Sequence, residues 1–329
     1  IRAELTADTH VALHRYSFQE KTHPQLFIFE GNRKISGGLS VSLINSQTIE
    51  GKQECYAGIY FIMKFSHPVI ASKVWTGKTL MDENKLEKQP AGGIVCSFGD
   101  LQGQPLVVKI GVSLTSVEAA RQNLERECPS TVNFDQVKIK ARNTWNEKLN
   151  LIQVEGNDEY KTIFYTALYH SCFMPQVISD VNGTYPGLDQ KIHEAKGYKH
   201  YANYAFWDDF RTKYPLYSLF QPAEYRDMVK SLRDLYEQTD NYLPFPEAKH
   251  LPHTEKNFMP SGKDGYQAFN TCRHEHMLMT MTDAYYKGLF DLDLQNVYPY
   301  LRKEAMVQMP EKYDAIGYIP ARPDQTGEY

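Results

Sequence analysis

The chain has 329 residues, with 36 Lys+Arg against 40 Asp+Glu and a formal net charge of −4 at pH 7. That balance gives no argument for a surface built for nucleic acid or for an anionic membrane. Hydrophobic residues make up 42% and charged residues 23%, ordinary values for a globular protein, and the longest apolar runs, such as "IYFIM" at 59–63, are far too short to span a bilayer. The length predicts two domains.

Residues 1 to about 115 read as strands. "LHRYSF", "GLSVSLI", "YAGIYFIMKF", "GGIVCSF" and "PLVVKIGVSL" are short β-branched and aromatic runs parted by Gly, Asn, Asp and Pro. Their spacing predicts an antiparallel sandwich. The pattern then changes. "TSVEAARQNLERE" sets Glu118 three residues after Thr115, which predicts a helix start with a capping box. "FDQVKIKARNTWNEKLN" puts Phe134, Val137, Ala141, Trp145 and Leu149 on one helical face. "DEYKTIFYTALYHSCFM" repeats this with Tyr160, Phe164, Ala167, Leu168 and Cys172. Further helices are predicted over 223–238, over 270–287 with Gly288 as C-terminal cap, and over 294–308. Strands followed by helices predict an α+β chain. It divides into a sandwich domain over 1–115, a helical linker over 116–150 and a helical domain over 151–329. Polar loops at 176–200 and 239–268 are candidate functional segments.

Five scattered cysteines (Cys55, Cys96, Cys128, Cys172, Cys272) without a CxxC predict neither a disulfide framework nor a zinc site. Aromatic residues reach 13%. They serve either as core payload or as stacking faces for a ring-shaped ligand such as a sugar. The chain opens on Ile1 without a signal-peptide pattern and closes on "RPDQTGEY". Both ends read as those of a piece of a longer protein.

"NYAFWDDFRTKYPLYSLF" (203–220) is the first candidate site segment, because it sets Asp208 and Asp209 among Phe206, Trp207, Phe210 and Arg211. Acids in a first helical turn complement the helix dipole, which accounts for one of them. Neighbouring helical positions point about 100° apart, so one Asp can face a pocket while the other faces solvent or Arg211. "CRHEHMLMTMTDAYYKG" (272–288) carries His274, Glu275 and His276. It is not HExxH, and His274 falls in line with Leu278 and Met281 as a core stripe, which leaves His276 or Glu275 for a pocket. In "ALYHSCFMPQVISDVNGTYPGLD" (167–189), His170, Asp180 and Asp189 are either ligand-facing or engaged in turns. Asn182-Gly183-Thr184 is a glycosylation sequon, meaningful in a eukaryotic secretory route.

In order along the chain, "VALHRYSF", "VKIGVSLTSVEAARQNLERE", "DEYKTIFYTALYHSCFMPQVISDVNGTYPG", "YANYAFWDDFRTKYPLYSLF", "HMLMTMTDAYYKG" and "YIPARPD" resemble segments of glycoside hydrolase family 92, the calcium-dependent exo-α-mannosidases. The resemblance implies an N-terminal β-sandwich followed by an (α/α)6 barrel, of which this chain holds the first half. It implies inverting hydrolysis of terminal α-mannose from mannooligosaccharides or glycoprotein N-glycans. Inversion uses an acid and a base about 6.5–9.5 Å apart. Ca2+ would hold the sugar's 2- and 3-hydroxyls, and export to the periplasm or outside the cell is implied as well.

Residue by residue, Asp208 directly after Trp207 matches the family's Trp-Asp position facing the terminal mannose. Trp207 and Phe206 would wall that pocket, and Arg211 would orient or balance the acid. Asp209 would be the solvent or N-terminal partner. His276 takes the place of the family's single His before the apolar run. His170 and Asp180 remain candidate substrate-binding residues. The family's general acid lies in a Glu-containing stretch beyond Tyr-Ile-Pro, and its base aspartates in a Gly-Asn-Asp-Asp motif further on. Neither stretch occurs here, so no catalytic residue and no metal ligand is assigned. Two alternatives stay open: a non-catalytic carbohydrate-binding protein, and another (α/α)6 glucosidase or glycoside phosphorylase.

Overall fold

The computed structural model describes residues 1–18, 23–29, 37–54, 58–187, 191–204, 206–239 and 275–289, with short pieces at 260–261, 265–266, 298–299 and 302. Strands fill the first third: β1 (Arg2–Ala7), β2 (Val11–Ser17), β3 (Gln25–Phe29), β4 (Leu39–Asn45), β5 (Thr48–Gln53), β6 (Ile59–Phe65), β7 (Val69–Thr76), β8 (Thr79–Met81), β9 (Lys85–Gln89), β10 (Gly92–Phe98) and β11 (Leu106–Ser113). They form a seven-stranded antiparallel sheet, β1-β2-β11-β6-β5-β4-β9, and a four-stranded one, β3-β10-β7-β8. The expected antiparallel architecture is present.

The large sheet is apolar on both faces. In β6, Phe61, Met63 and Phe65 face the small sheet, where they meet Ile94, Cys96 and Phe98 of β10, and Leu106 and Val108 of the neighbouring β11 join the same core. Ile62 points the other way and joins Val11 and Leu13 of β2 under the first two helices. Successive strand residues alternate faces, so a sheet covered on both sides reads as a continuous apolar run, as "IYFIM" does.

Helix α1 (Val117–Glu127) lays Ala120 and Leu124 on that outer face, and α2 (Phe134–Leu149) adds Phe134 and Val137. Gly111 of β11 allows the close approach of α1, since a Cβ there would sit 2.4 Å from the Ala120 carbonyl oxygen. The cap of α1 differs from the expectation by one residue. Ser116 is the N-cap, its Oγ accepting from the Ala119 N–H at 3.0 Å. The Thr115 hydroxyl is engaged elsewhere, donating to Asp180 at 2.6 Å. A true capping box occurs at α2, where Asn133 and Gln136 bond reciprocally.

The helical part continues with α3 (Asp158–Ser171), the four-residue α4 (Phe206–Asp209), α5 (Lys213–Phe220), α6 (Pro222–Thr239) and α7 (Glu275–Tyr286). These helices fit the first half of the expected barrel. The predicted helix over 294–308 falls almost wholly outside the described residues. The 176–200 loop is not open coil. It holds two short ladders, β12 (Gln176–Val177) with β15 (Tyr201–Ala202) and β13 (Thr184–Pro186) with β14 (Ile192–Glu194). Gly288 takes φ +66° after α7, the left-handed position glycine favours at a helix end.

The sandwich and the helices are joined through polar contacts. Asp180 is buried and accepts from Ser113 Oγ (2.9 Å), Thr115 Oγ1 (2.6 Å), Asn123 Nδ2 (2.6 Å) and Thr184 Oγ1 (3.3 Å). Asn123, also buried, accepts from the Val181 N–H at 2.9 Å. His10, at the β1–β2 turn, makes a parallel clamp. Its Nδ1 lies 2.6 Å from Glu127 Oε1 and its Nε2 2.8 Å from the Ser179 carbonyl oxygen. Both partners are acceptors, so both bonds form only when the ring carries both protons. Burial by itself would lower the ionisation of His10, but Glu127, the Ser179 carbonyl and the Asp180 charge outweigh it and hold the imidazolium above its ordinary value of 6.5. A raised histidine stabilises fully below its unfolded value, and the contribution is lost as pH rises through the folded one. The melting temperature of the protein is therefore expected to exceed that of His10→Asn most below the ordinary histidine value of 6.5, with the gap closing as pH rises through the raised value of the folded state. A gap that widens with pH would contradict the clamp.

Candidate carbohydrate site

The segment 201–214 carries the aromatic run and both acids, and its approach is anchored on α6. The Tyr201 N–H donates to Ser231 Oγ at 2.9 Å, and the Tyr204 hydroxyl donates to the Met228 carbonyl at 2.9 Å. Asn203 turns the chain at φ +66°, a conformation Asn tolerates better than most residues, and its Nδ2 donates to Gln176 Oε1 at 2.8 Å. The chain then enters α4.

Phe206 packs inward. It is 5% exposed and its ring stacks on Tyr204 at 5.1 Å and 4°. It therefore floors the segment from the aromatic core, with Tyr214, Tyr217 and Tyr225, rather than presenting a free face. The backbones of Trp207 and Asp208 lie in α4, while their side chains are outside the described residues. The helix breaks at 210–212 and resumes at Lys213. Pro215 explains the break, because in a continuous helix its ring would clash with the Arg211 carbonyl four residues back.

Of the two places open to Asp209, the solvent side is not the one it takes. Its Oδ2 is 2.5 Å from Lys213 Nζ, and the two side chains are 16% and 9% exposed. This ion pair bridges the break. Phe210 is held on one side by His276, ring to ring at 3.8 Å and 9°, and the Arg211 guanidinium lies over the same ring at 5.0 Å. Arg211 is itself exposed. His276 is thus buried against the candidate segment, and α7 turns Met277, Met281 and Ala284 into the core. Leu278 and Met281 of the expected stripe pack into the same core, while His274 is outside the described residues, as are the Glu275 side chain and Asp189.

His170 ends α3 on the surface, beside the rings of Tyr169 and Phe173. It does not come together with Phe210 or His276 through any described contact. Asp180 is engaged at the domain junction by the four donors given above.

A cluster absent from the sequence reading stands behind the segment. Asp234 of α6 accepts from Tyr185 OH (3.1 Å), from Tyr198 OH, from His200 Nδ1 (3.2 Å) and from Arg233 Nε and Nη2 (3.1 and 2.7 Å). Tyr185 also stacks on His200 at 3.5 Å and 11°. Burial alone would raise the Asp234 carboxyl, but the bonds from His200, Tyr198 and Arg233 outweigh it and hold it below its usual value. Burial keeps His200 low despite Asp234, so its ring is neutral and donates from Nδ1. A cleft of about 420 Å³ opens beside this cluster, and another of about 730 Å³ runs along the domain junction past His10, Asp180 and Lys196. Neither is lined by Phe206, Phe210, Arg211 or His276. Among the described residues no three His, Cys, Asp or Glu side chains converge as a metal site. The calcium implied by resemblance therefore finds no ligand set among them, and no step below runs through it.

An antiparallel sandwich leading into helices is an architecture that hosts many functions, so the class rests on sequence similarity. The family models make the class specific. The N-terminal domain of glycosyl hydrolase family 92 matches residues 1–113, and the catalytic domain of that family matches 119–328. The chain belongs to glycosyl hydrolase family 92. An uncharacterized secreted glycosidase of Arthroderma benhamiae is 24% identical over 229 residues, which is 65% of this chain and 23% of that protein. A solved GH92 glycosyl hydrolase superposes with a TM-score of 0.80 at 26% identity, covering 96% of this chain and 41% of that one. The GH92 inverting mannosidase of Bacteroides thetaiotaomicron VPI-5482 shares the fold with a TM-score of 0.79 at 22% identity, over 96% and 43% of the two chains. The chain thus spans less than half the length of these relatives.

Proposed function

We propose that the protein hydrolyses terminal α-linked mannose from mannooligosaccharides or N-glycans, with inversion and with calcium, and that it works outside the cytoplasm. The observation that carries this is Trp207-Asp208 on a helix of the family 92 catalytic domain, fixed from below by Phe206 and from the side by the Phe210–His276 stack. The Asp208 carboxylate accepts sugar hydroxyls, and hydrogen bonds to a charged acceptor are the strong ones. The named activity of the Bacteroides relative supports the substrate and the stereochemistry, and the description of the Arthroderma relative supports export. Calcium rests on the resemblance alone.

The test is turnover by the full-length protein on α-linked mannobiose and aryl α-mannosides, with the anomer of the released sugar followed by NMR. Release of β-mannose is expected, with loss of activity in chelator and recovery on adding Ca2+. Asp208→Asn is expected to lower kcat/KM by about 100-fold or more, the equivalent of one or two charge-assisted hydrogen bonds. Sugar binding without turnover would favour a lectin-like role, and strict dependence on phosphate would favour a phosphorylase.

A further inference from the structure

We propose that Asn182 is the acceptor of an N-linked glycan, added as the protein passes through a eukaryotic secretory route. This rests on the reading of export given above. Asn182-Gly183-Thr184 is the one Asn-x-Ser/Thr sequence in the chain, with glycine where proline would spoil it. The turn that holds it is exposed at Val181 and Asn182. It closes within five residues: the Gly183 N–H donates to the Asp180 carbonyl at 2.8 Å, and the Asp180 N–H to the Thr184 carbonyl at 2.8 Å. Gly183 takes φ +87°, and a Cβ there would sit 2.9 Å from the Ala195 carbonyl oxygen, so the middle position is glycine for the sake of the turn.

The two arms of the Asn182 amide face different ways. Oδ1 accepts from the Thr184 N–H at 3.0 Å and from the Thr184 hydroxyl at 2.7 Å. A backbone N–H can only donate, which fixes this arm as the oxygen. Nδ2, on the opposite arm, donates to Gln122 Oε1 at 3.2 Å, a contact between two exposed residues. The nitrogen carries two hydrogens, so one remains beyond that contact. The turn itself needs only the oxygen, which Asp would supply equally well. The nitrogen is what Asn adds, and Asn182 borders the cleft of about 730 Å³ at the domain junction, where a sugar has room. That cleft is not lined by Phe206, Phe210, Arg211 or His276, so a glycan there leaves the candidate carbohydrate site open.

In the transfer, Asn182 Nδ2 attacks the anomeric carbon of an oligosaccharide carried on a lipid diphosphate. The bond from Nδ2 to that carbon forms. The bond from the carbon to the diphosphate oxygen breaks, and its electron pair leaves with the diphosphate. One Nδ2 proton passes to a base of the transferase, and nothing is oxidised or reduced. Thr184 supplies the hydroxyl two residues on that the sequence requires. In the folded chain that hydroxyl is engaged by Asn182 Oδ1 and by Asp180. The transfer therefore precedes closure of the turn, and the finished fold leaves the modified nitrogen at the surface.

The test is peptide mass spectrometry on the full-length protein secreted from a eukaryotic host. The peptide containing Asn182 is expected to carry one N-glycan. A peptide N-glycosidase should remove it without denaturation, because the site is exposed, and leave Asp at 182. Asn182→Gln should be secreted with that peptide bare. Asn182→Asp, the product of the enzymatic removal, keeps the oxygen of the turn and guards against a loss that comes from misfolding: it should melt with the deglycosylated parent and carry no glycan. Thr184→Ser should keep the modification. A secreted parent whose Asn182 peptide is bare would overturn the proposal, as would a glycan on the same peptide in Asn182→Gln. Failure of the protein to leave the cell would instead remove the reading of export, and the acceptor site with it.

Discussion

Asp234→Ala is expected to lower the stability of the helical domain by about 3–5 kcal/mol, the cost of removing one partner from a buried charged network. Its carboxylate takes hydrogen bonds from four side chains, of which Tyr185 and His200 are buried at 2% and 1% exposure. Removing the acceptor leaves those donors with no water to turn to, and each unsatisfied group costs about 1–3 kcal/mol. Arg233 is 30% exposed and can recover solvent, so it adds less. Asp234→Asn keeps the shape but turns a donor toward donors, and an intermediate loss of about 2 kcal/mol follows. Domains are stable by only about 5–15 kcal/mol, so the alanine variant should sit near its unfolding threshold at 37 °C. Urea denaturation of both variants checks this. A loss under about 1 kcal/mol in Asp234→Ala would mean that the network is not cooperative. Activity should fall further than stability explains, since the same cluster pins the loop whose end carries Phe206, Trp207 and Asp208.

The elements that the sequence shows clearly are those with a local signature. The β-branched runs at 38–44, 92–98 and 105–114 became β4, β10 and β11, and the periodic stretches became α2, α3 and α6. The ends of α2 and α6 are legible to within a residue, and the one-residue slip at the start of α1 has a cause. Thr115 and Ser116 are equally good caps, and a partner 65 residues away draws the threonine off. The strands β5 and β9 are less legible because their runs, "TIEGKQ" and "KLEKQ", expose charges along an edge or mix polar residues into both faces.

The site is legible only where the chemistry is contiguous. Asp208, Asp209 and Arg211 stand together in sequence, and Lys213 at the helical spacing from Asp209 was available as a signal. Asp234, Tyr185, Tyr198 and His200 carry no such mark. Their meeting spans up to 49 residues and is decided by how the 176–204 loop folds back onto α6. The same holds for Asp180. Its Asx-rich neighbourhood suggests a turn, and the turn exists, with the Gly183 N–H on the Asp180 carbonyl at 2.8 Å. What no local pattern shows is that its carboxylate reaches across to the last strand of the sandwich.

That reach makes Asp180→Ala the second large effect. The expected loss is about 2–3 kcal/mol, less than at Asp234, because some of the released donors have alternatives. Ser113 Oγ and Thr115 Oγ1 already lie 3.0 Å apart and can bond each other. Asn123 Nδ2 keeps the Val112 carbonyl at 2.8 Å. The more telling change is in cooperativity. Ser113, Thr115 and Asn123 belong to the sandwich side and Asp180 and Thr184 to the helical side, so the carboxylate is a point where the two parts share one set of hydrogen bonds. Calorimetry of the parent is expected to show closely coupled melting. The alanine variant should resolve into two transitions, as expected of domains that no longer unfold together.

Asp180→Asn separates charge from shape, since the neutral amide no longer favours the nearby His10 imidazolium. The clamp should then release at lower pH than in the parent, so that its contribution fades nearer to the ordinary value of 6.5. Melting curves of the single variants and of Asp180→Asn/His10→Asn across pH 5 to about 8 give the coupling as a double-mutant cycle. A nonzero coupling that vanishes above the release pH would establish that the two contacts form one junction. Strictly additive effects at every pH would mean that Asp180 holds the domains through its neutral donors alone.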